Sequence, residues 1–239
     1  MKVIDDIIST LKDDSPVKEV RACMFWTAVC SRNCGLASTM REHGSHHGAN
    51  PVPEAGSLTE RTALELAAYA SSESLPLASI GMASVNSLID IDLSRCVEKN
   101  AFDILRERGQ GKRVAVVGHF PFIPKLKEIA SELWVLEQHP AEGDLSEEKA
   151  ETVLPCADVV AITGTSLINH TFEKLVGLCQ NSFVVVLGPS TPLSPILFDQ
   201  GVNVISGVKV TEPESVLRYI SEGASFRQIQ GVRLLTMVA

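Results

Sequence analysis

The residues of this chain that could do chemistry fall mostly in five short loops, each directly after an apolar run. Gly118-His119-Phe120-Pro121 follows Val114 to Val117, and Glu137-Gln138-His139-Pro140 follows Leu133 to Leu136. Thr163-Gly164-Thr165-Ser166 follows Val159 to Ile162, with Asn169 and Thr171 just beyond. Gly188-Pro189-Ser190-Thr191-Pro192 follows Phe183 to Leu187, and Ser206-Gly207 follows Val202 to Ile205. Small hydroxyl side chains and backbone N–H groups at helix starts suit a phosphate, carboxylate or other anion. Read as plain structure, the glycines turn the chain, the prolines open helices, and Ser166 and Thr191 cap them.

Two side chains in these loops are candidates for catalysis. His119, as an imidazole at the expected site, could serve as a general acid or base, or equally as a pocket wall. Glu137 could act as acid/base or as a hydroxyl acceptor. It stands about 19 residues beyond Gly118, the offset at which an acidic side chain grips a ribose in dinucleotide folds. The first loop is not GxGxxG, however, and Phe120 with Pro121 obstructs the close backbone approach a pyrophosphate needs. A standard NAD site is therefore not expected, while a ribose-bearing ligand such as S-adenosylmethionine stays open. Phe120 also offers a stacking surface for a heteroaromatic ring.

The elements that must position these loops are strands alternating with helices. The five runs are continuously apolar rather than alternating, as expected of strands buried on both faces of a parallel sheet. Helical patterns at 123–131, 167–179 and 193–200 lie between them, and 212–221 adds a last helix; the tail to Ala239 has no clear assignment. The economical solution is α/β: a Rossmann-like, five-stranded open parallel sheet over residues 111–239, its ligand beyond the carboxyl ends of the strands. Residues 1–110 have another texture, that of a smaller α+β domain. A helix spans about 2–13, and a β-hairpin runs through 19–30, turns at Arg32-Asn33 and returns from Cys34. Ser57-Leu58-Thr59-Glu60 reads as a capping box opening a helix through about Tyr69. Pro76 begins the next helix, and another ends at Arg108 with Gly109 just past its end.

His43, His46 and His47, with Glu42 beside them, form the one histidine cluster, and imidazole with carboxylate suits a transition metal. A solvated loop is the plain alternative. The six cysteines include no CxxC pair, so a zinc ribbon or thioredoxin-type motif is excluded. They read as reduced, partly buried small apolar residues, with Cys30 and Cys34 notable for flanking the hairpin turn. A net charge of −8 and 5% aromatic residues argue against a nucleic-acid partner. No apolar run approaches the ~20 residues that span a bilayer, and the acidic opening lacks a secretory pattern. A cytoplasmic address is the default expectation, and monomer and homo-oligomer are equally compatible.

Taken together, Gly118-x-Phe120-Pro121, the Glu137 loop, Thr163-Gly164-Thr165-Ser166-x-x-Asn169, Gly188-Pro189-Ser190-Thr191-Pro192 and Gly81-Met-Ala-Ser-Val-Asn86 resemble the "Putative heavy-metal chelation" domain family. The resemblance covers nearly the whole chain. It implies a smaller domain resembling the enolase N-terminal fold followed by a Rossmann-like domain, with a site where the two meet and Asn86 reaching in from the first. The roles it implies are condensation or hydrolysis of pterin-, flavin- or siderophore-like molecules linked to metal chelation. A non-catalytic metal-delivery protein and an S-adenosylmethionine-dependent transferase are the alternatives.

Overall fold

Alternating burial explains the larger of two sheets. In the computed structural model, which describes residues 2–41 and 50–239, Val114, Val116, Val159, Ala161, Val185, Leu187 and Val204 pack into one apolar layer. Ala115, Val160, Ile162, Val184, Val186 and Ile205 pack into another on the opposite face. Each of these side chains is 4% exposed or less, so neither face meets water and the strands carry no polar alternation.

The described chain runs α1 (Lys2–Ser9), β1 (Glu19–Ala22), β2 (Trp26–Cys30), β3 (Cys34–Ser38), α2 (Ala63–Ala67), α3 (Leu75–Leu88), α4 (Ala101–Gly109) and β4 (Arg113–Val117). It continues through α5 (Ile123–Lys127), β5 (Glu132–Glu137), β6 (Leu145–Ser146), α6 (Ala150–Val153), β7 (Val159–Thr163), α7 (Thr165–Ile168), α8 (Phe172–Gly177), β8 (Phe183–Leu187), β9 (Val204–Val210), α9 (Pro213–Ser221) and β10 (Val232–Val238). The large sheet has the order β10-β9-β8-β7-β4-β5-β6. All five expected strands lie side by side and parallel. Two edge strands extend the expected five to seven. Short β6 adds parallel to β5, and the unassigned tail forms β10, antiparallel to β9 along seven residue pairs.

The first part of the chain folds as a three-stranded antiparallel sheet, β1-β2-β3, followed by helices. The run read as a single strand over 19–30 breaks instead at Cys23 to Phe25. There the Cys23 amide donates to the Trp26 carbonyl at 2.9 Å, and Met24 and Phe25 are left exposed at the turn. The capping box also sits elsewhere. Ser57 makes no side-chain cap, and Leu58–Glu60 is a single 3₁₀ turn. Thr62 and Glu65 form the reciprocal box and open α2. Past α4 the left-handed residue is Gly111, at φ 67°, while Gly109 is the last helical residue. The helix expected over 167–179 is broken in two by His170, a non-glycine residue at φ 60°. His170 Nε2 donates to the Ala70 carbonyl at 2.9 Å, which ties this break to the first half of the molecule.

The two halves share one apolar core. Val29, Ala37, Leu66 and Ile80 pack with Leu167, Phe172 and Val186, so α3 and the small sheet cover one face of the large one. At ~1.5–3 kcal/mol for each fully buried large aliphatic side chain, this shared layer fixes the halves to one another.

One ion pair at the start of the sheet makes a prediction about acid stability. Asp158 accepts from the Arg113 amide and its guanidinium, at 2.9 and 2.8 Å. The guanidinium contact holds its carboxyl at about 2, below the usual 3.8. A depressed carboxylate stabilises the fold above its unfolded pKa and loses that effect as pH falls through its folded one. The stability difference between wild type and Asp158→Asn should therefore shrink as pH is lowered from 3.8 to about 2. Urea unfolding at stepped pH measures it, and a constant difference across that window would refute the assignment.

Candidate functional site

The chain order of the large sheet creates a crevice before any side chain is considered. From β4 the chain passes outward to β5 and then to the edge strand β6; from β6 it crosses back to β7, on the other side of β4. Chain exits diverge between β4 and β7, and open α/β sheets bind ligands at such a switch point. A cavity of about 760 Å³ opens there.

Four of the five predicted loops contribute to it. Gly118, His119, Phe120 and Pro121 line it from β4, Glu137 and Gln138 from β5, Gly164, Thr165, Ser166 and Asn169 from β7, and Gly188, Pro189 and Ser190 from β8. Ser206-Gly207 is not on the wall and is no loop: β9 runs on through it to Val210, so the expected fifth exit is strand interior. Trp26, Ser38 and Met40 of the first half close another side. Ser225, Phe226 and Arg227, just after α9, complete it, and no local signal in the sequence marked them.

The glycines are there because backbone meets backbone. A Cβ on Gly164 would lie 2.6 Å from the Thr191 nitrogen, and one on Gly207 would lie 2.7 Å from the Thr191 carbonyl oxygen. The β8 exit is thus wedged between its neighbours. Thr191 is consequently 2% exposed and lies behind the cavity wall rather than on it, its hydroxyl without a hydrogen-bond partner among the described residues. Ser190 faces the other way: its hydroxyl accepts from the Ser38 amide at 2.9 Å and joins the small sheet to the site.

Neither hydroxyl predicted as a cap serves as one. Ser166 donates to the Thr163 carbonyl at 2.7 Å, and Gly164 occupies the N-cap position of α7. The helices after β4 and β7 are five and four residues long, so little aligned dipole stands behind these loops. Asn86 does not reach the cavity. Its amide donates to the Leu36 carbonyl at 2.9 Å, and it borders a separate, smaller cavity. His43, His46 and His47 lie outside the described residues.

The site has a chemical core that the sequence showed only in part. His119 Nδ1 lies 3.2 Å from Asp144 Oδ2, and the Asp144 side chain is 7% exposed. The same carboxylate accepts from the Ala141 amide at 3.1 Å. A carboxylate only accepts, so Nδ1 carries a proton, and in the neutral ring Nε2 is then the acceptor nitrogen; the ring lines the cavity. Asp144 was missed because nothing local relates two residues 25 apart in the chain.

Charge and aromaticity are unevenly placed. Glu137, Glu147 and Glu148 line the cavity, against Lys174 and Arg227. Glu151 holds Lys174 at 2.9 Å, whereas Arg227 forms no ion pair among the described residues. Trp26, Phe120 and Phe226 supply apolar wall. Phe120 is held in plane by Phe122, with centroids 5.1 Å apart at 9°, and Trp26 is fixed by Phe226 at 5.6 Å and by an indole bond to the Ala224 carbonyl. Among the described residues, no three His, Cys, Asp or Glu side chains converge as a metal site would require. None of the described helices is long and apolar enough to cross a membrane.

The fold and this cleft define a two-part α/β protein whose cavity lies at the strand exits of a Rossmann-like sheet and is closed by an antiparallel sheet. The chain belongs to the family described as "Putative heavy-metal chelation", whose two models match residues 4–89 and 100–239. It is similar to a solved structure of a protein of unknown function from the same family in Desulfitobacterium hafniense, with 25% identity, TM-score 0.83, and 100% of this chain and 98% of that one covered. A second, from Pyrococcus horikoshii, superposes at TM-score 0.84 over 100% of this chain and 98% of that one with 18% identity, a likeness of fold. An uncharacterized protein of Methanocaldococcus jannaschii is 27% identical over 160 residues, which cover 64% of this chain. The match spans 62% of that relative's length.

Proposed function

We propose that the cavity binds a small, flat, polar molecule of the pterin-, flavin- or siderophore-like kind, and that the protein condenses or hydrolyses it in connection with metal chelation. One observation carries this reading: rigid aromatic walls, carboxylates and an oriented histidine share a single cleft of about 760 Å³, within the size range of small-molecule sites. Trp26, Phe120 and Phe226 suit a planar heterocycle. A carboxylate such as Glu137 suits the ring N–H and amino donors such heterocycles carry, and Arg227 suits an acidic substituent at the rim. The ligand is thus a heteroaromatic with donor groups rather than a polyanion. His119, oriented by Asp144, is the proton-transfer group.

Trp26 lies on the wall and provides the test. Titration with a pterin, flavin mononucleotide and 2,3-dihydroxybenzoate should show saturable quenching with at least one of them, lost in Trp26→Phe. Glu137→Gln should weaken that binding about tenfold, the loss of roughly 1.4 kcal/mol. Failure of all three compounds to bind would overturn the reading, as would unchanged affinity in Glu137→Gln. S-adenosylmethionine belongs in the same titration, since Glu137 ends the strand beside β4, where an acidic side chain meets a ribose. Saturable binding of it alone would favour a transferase.

A further inference from the structure

The hairpin turn between β2 and β3 carries two sulfurs in contact. Cys30 and Cys34 are paired directly across the ladder, with Sγ atoms 2.7 Å apart, and both are free thiols. Their register fixes how close they are. The Thr39 amide donates to the Phe25 carbonyl and the Ser31 amide to the Asn33 carbonyl, so the hydrogen-bonded pairs on this ladder are 25–39, 27–37, 29–35 and 31–33. Cys30 and Cys34 therefore form a non-hydrogen-bonded pair, the class in which opposed Cα atoms come closest, about 4.5 Å. That spacing lies within the range a disulfide accepts, roughly 4.4–6.8 Å.

The backbone cannot drift from this arrangement. The Asn33 amide donates to the Ser87 carbonyl at 3.1 Å, and the Ser31 and Ser87 hydroxyls lie 2.6 Å apart. Arg32 reaches Asp90 at 2.9 Å and the Asp13 carbonyl at 2.6 Å. Between the cysteines and Leu36, Gly35 lies so close to α3 that a Cβ would be 2.0 Å from the Ala83 carbonyl oxygen. The turn is thus pinned on three sides, and its two sulfurs have little room to separate. The contact also divides their acidity: the hydrogen bond between the two sulfurs lowers the Cys30 thiol and raises that of Cys34.

Both sulfurs are buried, and Cys34 is the one that borders a cavity. Cys34 lines a second cavity of about 150 Å³, separate from the first, together with Asn86, Asp90 and Lys209. Lys209 gives it a cation with no ion pair among the described residues, which suits a thiol compound bearing carboxylates.

We propose that Cys30 and Cys34 are a redox-active pair that closes reversibly to a disulfide by exchange with a low-molecular-weight disulfide such as oxidised glutathione. One protein sulfur, as thiolate, attacks the S–S bond of the reagent, forming a mixed disulfide and expelling one glutathione thiolate. The second protein sulfur gives its proton to solvent and attacks the first, expelling the other glutathione thiol. Two protein thiols are oxidised, and one disulfide is reduced to two thiols. The site is independent of the large cavity, so the outcome at either leaves the other undecided.

The test uses the full chain carrying Cys23→Ser, Cys96→Ser and Cys156→Ser, which removes the more accessible thiols. Incubation with excess oxidised glutathione, acid quenching and intact mass measurement should show the loss of two hydrogens, with a proteolytic peptide linking Cys30 to Cys34. Dithiothreitol should restore the original mass. Cys30→Ala in the same background should instead accumulate a glutathione adduct on Cys34, the sulfur that borders the cavity. Circular dichroism spectra of both proteins establish that each is folded. Two free thiols remaining at these positions after prolonged incubation would overturn the proposal. So would a stable glutathione adduct in the chain that retains both cysteines.

Discussion

Replacement of Gly81 by alanine should cost about 3 kcal/mol of stability, although alanine is the better helix former by ~1 kcal/mol. Gly81 lies in the body of α3, where a glycine has no conformational purpose. Its purpose is contact. A Cβ there would lie 1.9 Å from the Ala70 nitrogen and 2.4 Å from the Tyr69 carbonyl carbon. Both are backbone atoms of a 3₁₀ turn, and that turn is held in place because the Ala70 carbonyl accepts from His170. Neither element can yield without disturbing the layer that covers the large sheet. Gly177 is the control, since it ends α8 with nothing within 4 Å of its virtual Cβ. Gly177→Ala should be neutral or stabilising by up to ~1 kcal/mol. Urea denaturation of the two variants decides between close approach and propensity. Equal midpoints would remove the argument for Gly81.

The same distinction between local and long-range causes separates what could be read from the sequence and what could not. The central strands announced themselves because both of their faces are covered, leaving runs such as Phe183–Leu187 with no polar residue. Given parallel pairing, their exits had to crowd together, and the loops at Gly118, Glu137, Gly164 and Gly188 could be brought to one cleft. β10 was not legible. Its exposed Arg233 and Leu234 precede buried Leu235, Thr236 and Met237, because Val97 bridges to Thr236 on its far side. Such a pattern fits neither period. Two Ser/Thr-x-x-Glu boxes lie five residues apart, and local rules cannot rank them. The second prevails through distant partners: the Ala63 amide donates to the Ser15 carbonyl and the Leu64 amide to the Asp14 carboxylate. Within the site, the wall from Trp26, Ser38 and Phe226 came into view only once the small sheet and α9 had been placed against the strand exits.

Turnover of a compound that titrates into the cavity should fall roughly a hundred- to ten-thousand-fold in His119→Asn, the range typical of a removed general acid or base. Asparagine can still donate to Asp144 from near the Nδ1 position, but it holds no exchangeable base on the cavity side. Binding should therefore change far less than turnover, which separates this role from that of the aromatic walls. Asp144→Asn tests the dyad from behind. An amide there can donate to Nδ1 and favours the opposite tautomer, placing the proton on Nε2. The ring keeps its place and loses its basic face, so turnover should drop with little change in affinity. Asp144→Ala should impair turnover as well, through loss of orientation, and it also strands the Ala141 amide that the carboxylate accepts from. Equal turnover in wild type and His119→Asn, measured by chromatography under saturating conditions, would leave the cleft a binding site without a proton-transfer group. The aromatic and carboxylate contacts would then stand alone.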